Sequence, residues 1–202
     1  MKSLVIIDDN PMNAWKSIVE NYNDGLPCFV ETDLTNIDLE SNFFKRYYKE
    51  FKWHFNDSYR SLMIKMTRNL TPYEFSYYDR IHDYFGQDQE HTILANQNNV
   101  ISLWDVTKDP NNNPKPCLLT LKVIRDKDYL HLSITFRNRD IIRRMYPNFV
   151  ALSRFHNNLC KQLSLKQGKL FDYSNQIIVR KQDLDKVKSW EEFRSDSPTL
   201  GM

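Results

Sequence analysis

Two runs of alternating apolar residues, Leu118–Ile124 and Tyr129–Phe136, stand on either side of the polar stretch Arg125-Asp126-Lys127-Asp128. Alternation with a period of two argues for strands with one buried face, and a short polar turn between such runs argues for a hairpin. That hairpin fixes much of the rest. Pro114-Lys115-Pro116-Cys117 leads into its first strand, and Arg137-Asn138-Arg139-Asp140 follows its second. Met145-Tyr146-Pro147-Asn148-Phe149 then opens a stretch in which Phe149, Leu152, Phe155, Leu159 and Leu163 recur at helical spacing. A thiol, an arginine, an aspartate and an asparagine therefore arrive in that order around one hairpin and the helix behind it.

Upstream, Leu4–Ile7 reads as a short strand that ends at Asp8-Asp9-Asn10-Pro11. Asn10 is placed to cap a helix with Pro11 at its first position. Trp15, Ile18, Val19 and Tyr22 continue that helix until Gly25 stops it. The spacing predicts a second, aromatic-rich helix over about Leu39–Phe55, and a helical or irregular Tyr73–Phe85. A strand is expected at Val100–Val106 and a loop at Asp109–Pro114. Downstream, Gly168 is expected to cap the long helix. Leu170–Val179 is expected as a last strand and Leu184–Phe193 as a last amphipathic helix.

A chain of 202 residues with 41% hydrophobic content buries one sizeable core. The expectation is one α+β domain over residues 1–195, with 196–202 as a mobile polar tail. Its large mixed sheet is covered by helices on one face. The other face, through Leu130, Leu132, Ile134 and Phe136, would pack sheet-to-sheet against a second copy. The net charge of +2 does not point to a nucleic-acid polymer as partner. No stretch approaches the length of a membrane span, and the first residues lack the pattern of a secretory leader. Cys28, Cys117 and Cys160 stand at no metal-ligand spacing, which suits a reduced, cytoplasmic protein. No metal is expected.

Chemistry centres on Cys117. A lone cysteine is usually a small buried hydrophobe, and that reading stands for Cys28 and Cys160. Cys117 differs because Arg137 would lie beside it across the hairpin, and a neighbouring cation favours the nucleophilic thiolate. Arg139, Arg143 and Arg144 would ordinarily form a solvated face. Following Arg137, they are candidates for a phosphate or a dimer contact. His131, alternating within a strand, reads as structural.

The series Pro116-Cys117, hairpin, Arg137-x-x-Asp140 and Pro147-Asn148 resembles the catalytic core of the thymidylate synthase family, over roughly residues 98–190. The resemblance implies that Cys117 adds to C6 of a pyrimidine, so that C5 can attack a one-carbon donor, with 5,10-methylenetetrahydrofolate as that donor. It implies that Arg137 also binds the substrate phosphate and that Asp140 anchors the pyrimidine. Asn138, Arg139, Arg143 and Arg144 complete the substrate-binding set. Asn148 would read O4 and N3 of the ring, which favours uracil, since a carboxylate there goes with cytosine-acting relatives. The implied partners are a pyrimidine nucleotide and a second copy of the chain.

The family pattern is also broken in places. The arginine pair that crosses the dimer to the partner's phosphate falls where this chain reads Asn96-Gln97-Asn98-Asn99. The His-x-Tyr that holds the sugar has no counterpart in Ser174–Arg180. Glu40 and Glu50 are the candidates for the glutamate that assists the folate adduct, and Ser197–Met202 lacks an apolar lid. Two readings follow: an enzyme adding a methyl or hydroxymethyl group to C5 of a uracil-type nucleotide, in a specialised nucleoside pathway, or a degenerate homologue kept as a dimeric binding or scaffold protein.

Overall fold

The computed structural model describes residues 3–52, 59–66, 76–83, 85–96, 99–111 and 115–195. The strands are β1 (Leu4–Ile7), β2 (Cys28–Asp33), β3 (Val100–Ser102), β4 (Leu118–Asp126), β5 (Tyr129–Phe136), β6 (Arg139–Asp140), β7 (Lys166–Ser174) and β8 (Ile177–Ile178). The helices are α1 (Pro11–Glu20), α2 (Asn42–Phe51), α3 (Tyr59–Met66), α4 (Tyr77–His82), α5 (Gln89–Ala95), α6 (Tyr146–Leu163), α7 (Lys181–Lys188) and α8 (Glu191–Ser195). A π-helical turn, Ile141–Met145, enters α6.

Six strands form one mixed sheet in the order β1-β2-β7-β5-β4-β3. The expected α+β class and large mixed sheet are what the chain forms. The predicted hairpin is its centre: β4 and β5 pair antiparallel from Leu118 opposite Phe136 to Asp126 opposite Tyr129. The turn is tight, and Lys127 takes a left-handed backbone with φ 52. β5 and β7 run parallel, because α6 carries the chain back across the sheet between them.

The buried face of the sheet presents Val30, Leu121, Val123, Leu130, Leu132, Ile134 and Leu170, packed in one core with Phe149, Leu152, Phe155 and Leu159 of α6. His156 seals this contact by donating from Nε2 to the Leu130 carbonyl at 2.6 Å. Burial holds its imidazole down to about 4, so it is neutral at physiological pH. The role expected for Leu130, Leu132, Ile134 and Phe136 is corrected here. They are 0–2% exposed within this chain's own core and offer nothing to a second copy. Periodicity marks two faces but not which one the helices cover.

The opposite face runs in transverse rows. One row joins Val5, Phe29, Tyr173, Thr135, Thr120 and Ser102; the next joins Ile7, Glu31, Phe171, Ser133, Lys122 and Val100. Val5, Ile7, Val100 and Tyr173 are 56%, 68%, 49% and 40% exposed.

Other elements shift from expectation for local reasons. Asn10 caps α1 by accepting from the Met12 and Asn13 amides at 2.8 and 3.3 Å, as expected. α2 is shorter than read, starting at the Ser41 cap and ending where Lys52 turns left-handed; residues 53–55 lie outside the described residues, as does the tail 196–202. The cap of α6 is Ser164, φ 55, rather than Gly168. Gly168 lies inside β7, where a Cβ would stand 2.8 Å from His131 Nδ1 and 2.9 Å from the Leu130 carbonyl. Its missing side chain serves a close strand approach. β3 stops at Ser102, because the chain then turns toward Asp109, whose carboxylate is held by Arg80. The expected last strand divides into β7 and β8, and the last helix into α7 and α8.

Candidate functional site

The hairpin register brings the candidate site together. With Leu118 opposite Phe136, the next residues outward are Cys117 and Arg137, and the Arg137 amide donates to the Cys117 carbonyl at 2.7 Å. The guanidinium reaches back over the loop, with Nη2 3.9 Å from Cys117 Sγ and 3.4 Å from the Lys115 carbonyl, and Nε 3.4 Å from the Pro116 carbonyl. The half-buried thiol donates to Asn138 Oδ1 at 2.9 Å. A thiolate would accept instead, so ionisation favours the other face of the Asn138 amide.

Tyr77, at the start of α4, holds the cysteine from behind. Its hydroxyl oxygen accepts from the Cys117 and Leu118 amides at 2.9 and 3.0 Å. α4 is itself fixed: Ser76 and Asp79 form a capping box, and Arg80 reaches Asp109 and the Leu103 carbonyl at 2.8 Å. Tyr77→Phe would leave the buried Leu118 amide and the part-buried Cys117 amide without this acceptor, which costs about 1–3 kcal/mol. The expected outcome is a lower denaturation midpoint with Cys117 alkylated by iodoacetamide at an altered rate; an unchanged midpoint would remove this anchor.

Asp140 caps the π-turn that leads into α6. Asp140 Oδ1 accepts from the Ile142 and Arg143 amides at 3.1 and 2.8 Å, and burial pushes its carboxyl up from the usual range against those bonds. The turn's carbonyls are gripped from the far side. Trp15 Nε1 donates to Ile141 at 2.6 Å and the Tyr47 hydroxyl donates to Ile142. π-helical turns leave backbone groups to be satisfied from outside the helix, and here two aromatic donors do so.

The arginines separate into different roles. Arg139 is 2% exposed. Its Nε donates to Asn148 Oδ1 at 3.2 Å, Nη2 to the Met145 carbonyl at 3.2 Å, and Nη1 pairs with Asp172 of β7. Its guanidinium lies 4.0 Å over the Phe136 ring. Arg143 forms a bidentate pair with Asp183 of α7 at 2.5 and 2.9 Å, which raises its own affinity for the proton and lowers that of the Asp183 carboxyl. Arg144 is half-buried in the π-turn. Thus Cys117, Arg137 and Asn138 share one cluster, and Arg139, Asn148 and Asp172 share another. Asp140 bonds to neither cluster's side chains among the described residues.

Cys28 and Cys160 are buried and free, and burial pushes their thiols up to about 12 and about 11. His131 is structural, with Nδ1 accepting from the Lys169 amide at 3.0 Å. Among the described residues there is no group of three or more acidic, histidine or cysteine side chains able to hold a metal ion, and no helix long and apolar enough to cross a membrane. Asp172 and Tyr77 were missed from sequence. Asp172 had a signal, being an acid at an inward position between Leu170 and Ser174; Tyr77 had none.

No family model matches the chain. A curated protein of Methanopyrus kandleri named "Putative thymidylate synthase" is 28% identical over 123 residues, covering 57% of this chain. The chain spans 59% of that relative's length. Among solved structures, thymidylate synthase from T4 phage superposes with a TM-score of 0.58 at 15% identity, covering 88% of this chain and 78% of that one. Thermostable thymidylate synthase A from Bacillus subtilis gives a TM-score of 0.46 at 14% identity, over 54% of this chain and 42% of that one. The chain is thymidylate synthase-like in fold, and the curated relative agrees with the resemblance read from its motifs.

Proposed function

We propose that this chain adds a one-carbon unit, methyl or hydroxymethyl, to C5 of a uracil-type nucleotide through a covalent adduct between Cys117 and C6. The observation that carries this reading is the cluster at the hairpin end, a half-buried thiol 3.9 Å from the Arg137 guanidinium and bonded to Asn138. Such a cation stabilises the anionic sulfur. Attack forms the Sγ–C6 bond and moves the C5=C6 π pair onto C5 and O4. C5 bonds to the electrophilic carbon of a one-carbon donor, and loss of the C5 proton then expels the donor's carrier, leaving an exocyclic methylene on C5. Hydride from a reduced co-substrate adds to that methylene and leaves a methyl group, or water adds and loses a proton to leave a hydroxymethyl group. In either case the electron pair returns through C5, C5=C6 re-forms and the sulfur departs as thiolate.

The donor that the resemblance implies is 5,10-methylenetetrahydrofolate. The residues offered for it do not fit. Glu40 pairs with Lys45 at 3.3 Å on the surface, and Glu50 pairs with Lys186. No step here runs through the folate.

Phosphate binding falls to Arg137, since Arg139 and Arg143 are committed to Asp172 and Asp183. Arg137→Ala should therefore weaken nucleotide binding and slow alkylation of Cys117 by iodoacetamide near pH 7. Alkylation with an unchanged dependence on pH would remove Arg137 as activator. The commitment of Arg139 and Arg143 is also what favours the second reading, a degenerate homologue acting as a binding or scaffold protein. The deciding experiment is exchange of the C5 hydrogen from UMP, dUMP, CMP and dCMP with and without donor. Exchange without donor reports thiolate addition alone, and its absence on every ring would leave the second reading.

A homodimer is part of this proposal, now through the open sheet face. Val5, Phe29, Phe171 and Tyr173 give that face an apolar centre suited to sheet-to-sheet packing. Sedimentation should show a dimer at micromolar concentration that Tyr173→Lys shifts toward monomer; a strict monomer for the unaltered chain would rule this out. The three cysteines, none of them in a disulfide, suit a reducing, cytoplasmic setting.

A further inference from the structure

We infer that Arg139, held by Asp172, is the positioning residue that fixes the amide of Asn148 in one orientation and so makes the chain choose uracil over cytosine. The inference rests on the proposed reading that Asn148 faces the pyrimidine.

A guanidinium carries only donors and stays protonated at any physiological pH. The group it meets at 3.2 Å from Nε must therefore be the amide oxygen of Asn148. Turning the amide over would set an NH2 group against an N–H in a site where both residues are nearly fully buried, Asn148 at 3% and Arg139 at 2% exposed. Two facing donors cannot be satisfied there. Arg139 cannot yield either. Its backbone amide donates to the Gln176 carbonyl at 2.9 Å within the β6–β8 pairing. Nη1 is paired with Asp172, 1% exposed, and Nη2 donates to the Met145 carbonyl. Its guanidinium carbon lies 4.0 and 5.2 Å from the ring centres of Phe136 and Phe149.

With Oδ1 held on that side, Asn148 presents its NH2 group away from Arg139, and among the described residues that nitrogen makes no hydrogen bond. An amide free to rotate could serve either ring. One pinned this way offers a donor where uracil has the O4 carbonyl and cytosine has an amino group. The pin is independent of substrate, since every bond in it lies within the chain.

The test uses the full chain with dUMP and dCMP as probes. A through-hydrogen-bond scalar coupling between Arg139 Nε and Asn148 Cγ, measured in labelled protein without nucleotide, should be present. Titration followed by the Asn148 side-chain amide signal should show dUMP binding about tenfold or more tighter than dCMP. The double variant Arg139→Met, Asp172→Leu replaces the buried ion pair by apolar groups of similar size, an exchange that folded proteins tolerate. In it the preference should fall to about threefold or less, while Asp172→Asn alone, which keeps the Nε donor, should retain it. An absent coupling, an unchanged preference in the double variant, or no binding of either nucleotide by the unaltered chain would each overturn the inference. Binding with the expected preference but no C5-hydrogen exchange would instead sink the proposed chemistry and leave the inference standing.

Discussion

Cys117→Ser is expected to lower C5-hydrogen exchange by at least about a thousandfold while leaving the fold intact. A serine hydroxyl carries far less anion at neutral pH than a thiol, whose ordinary pKa is about 8.5. Its oxygen is also the poorer nucleophile toward C6. The backbone around it is unaffected, since Tyr77 accepts from the amides of Cys117 and Leu118 rather than from the sulfur. Cys160→Ser is the matched comparison. It places a hydroxyl on the buried stripe of α6 and should reduce stability with little effect on exchange. The two variants assayed side by side for exchange and thermal midpoint settle the assignment. Exchange lost in Cys160→Ser and kept in Cys117→Ser would place the nucleophile elsewhere.

Trp15→Ala is expected to destabilise the chain by about 3–5 kcal/mol, or a drop in midpoint of roughly 10 °C for a chain of this size. Trp15 is fully buried, and its ring meets those of Phe43, Tyr47, Tyr146 and Phe193 at 5.6 to 6.1 Å between centroids. Its loss also leaves the Ile141 carbonyl without its donor, at the turn that Asp140 caps. Trp15→Phe separates the two contributions. It keeps most of the ring packing and loses the hydrogen bond, so an intermediate loss is expected, nearer 1–3 kcal/mol. Equal midpoints for Trp15→Ala and the unaltered chain would show that the aromatic cluster does not support the domain.

The parts of the fold that could be read in advance are those set by neighbours in sequence. The hairpin was legible because alternation and turn lie within nineteen positions, Leu118 to Phe136, and its register alone delivers Arg137 to Cys117. Asn10 and Pro11 announced α1 because a cap is a contact over two or three residues. Where the deciding contact is distant, the local signal misled or was absent. Arg139, Arg143 and Arg144 read as a solvated face, and only Asp172, 33 residues beyond Arg139, draws Arg139 into the core. Gly168 sits where a helix should end, but its role is set by His131 on the neighbouring strand. The choice of buried face depends on where α6 lies, which no alternation in β5 can specify.

The Arg139–Asp172 pair constrains how this chain can change over evolutionary time. Loss of either partner alone strands a charge in the core, at a cost of about 3–5 kcal/mol, comparable with much of a domain's total stability. Exchange of both for well-packed apolar residues of similar volume is expected to cost far less. Mutational paths through this site therefore pass by paired steps or not at all. Among descendants of this sequence, positions 139 and 172 should vary together, with arginine facing an acid or neither being charged. Lineages that have made the double exchange should also be the ones in which the identity of residue 148 has drifted, because nothing then holds its amide to one face.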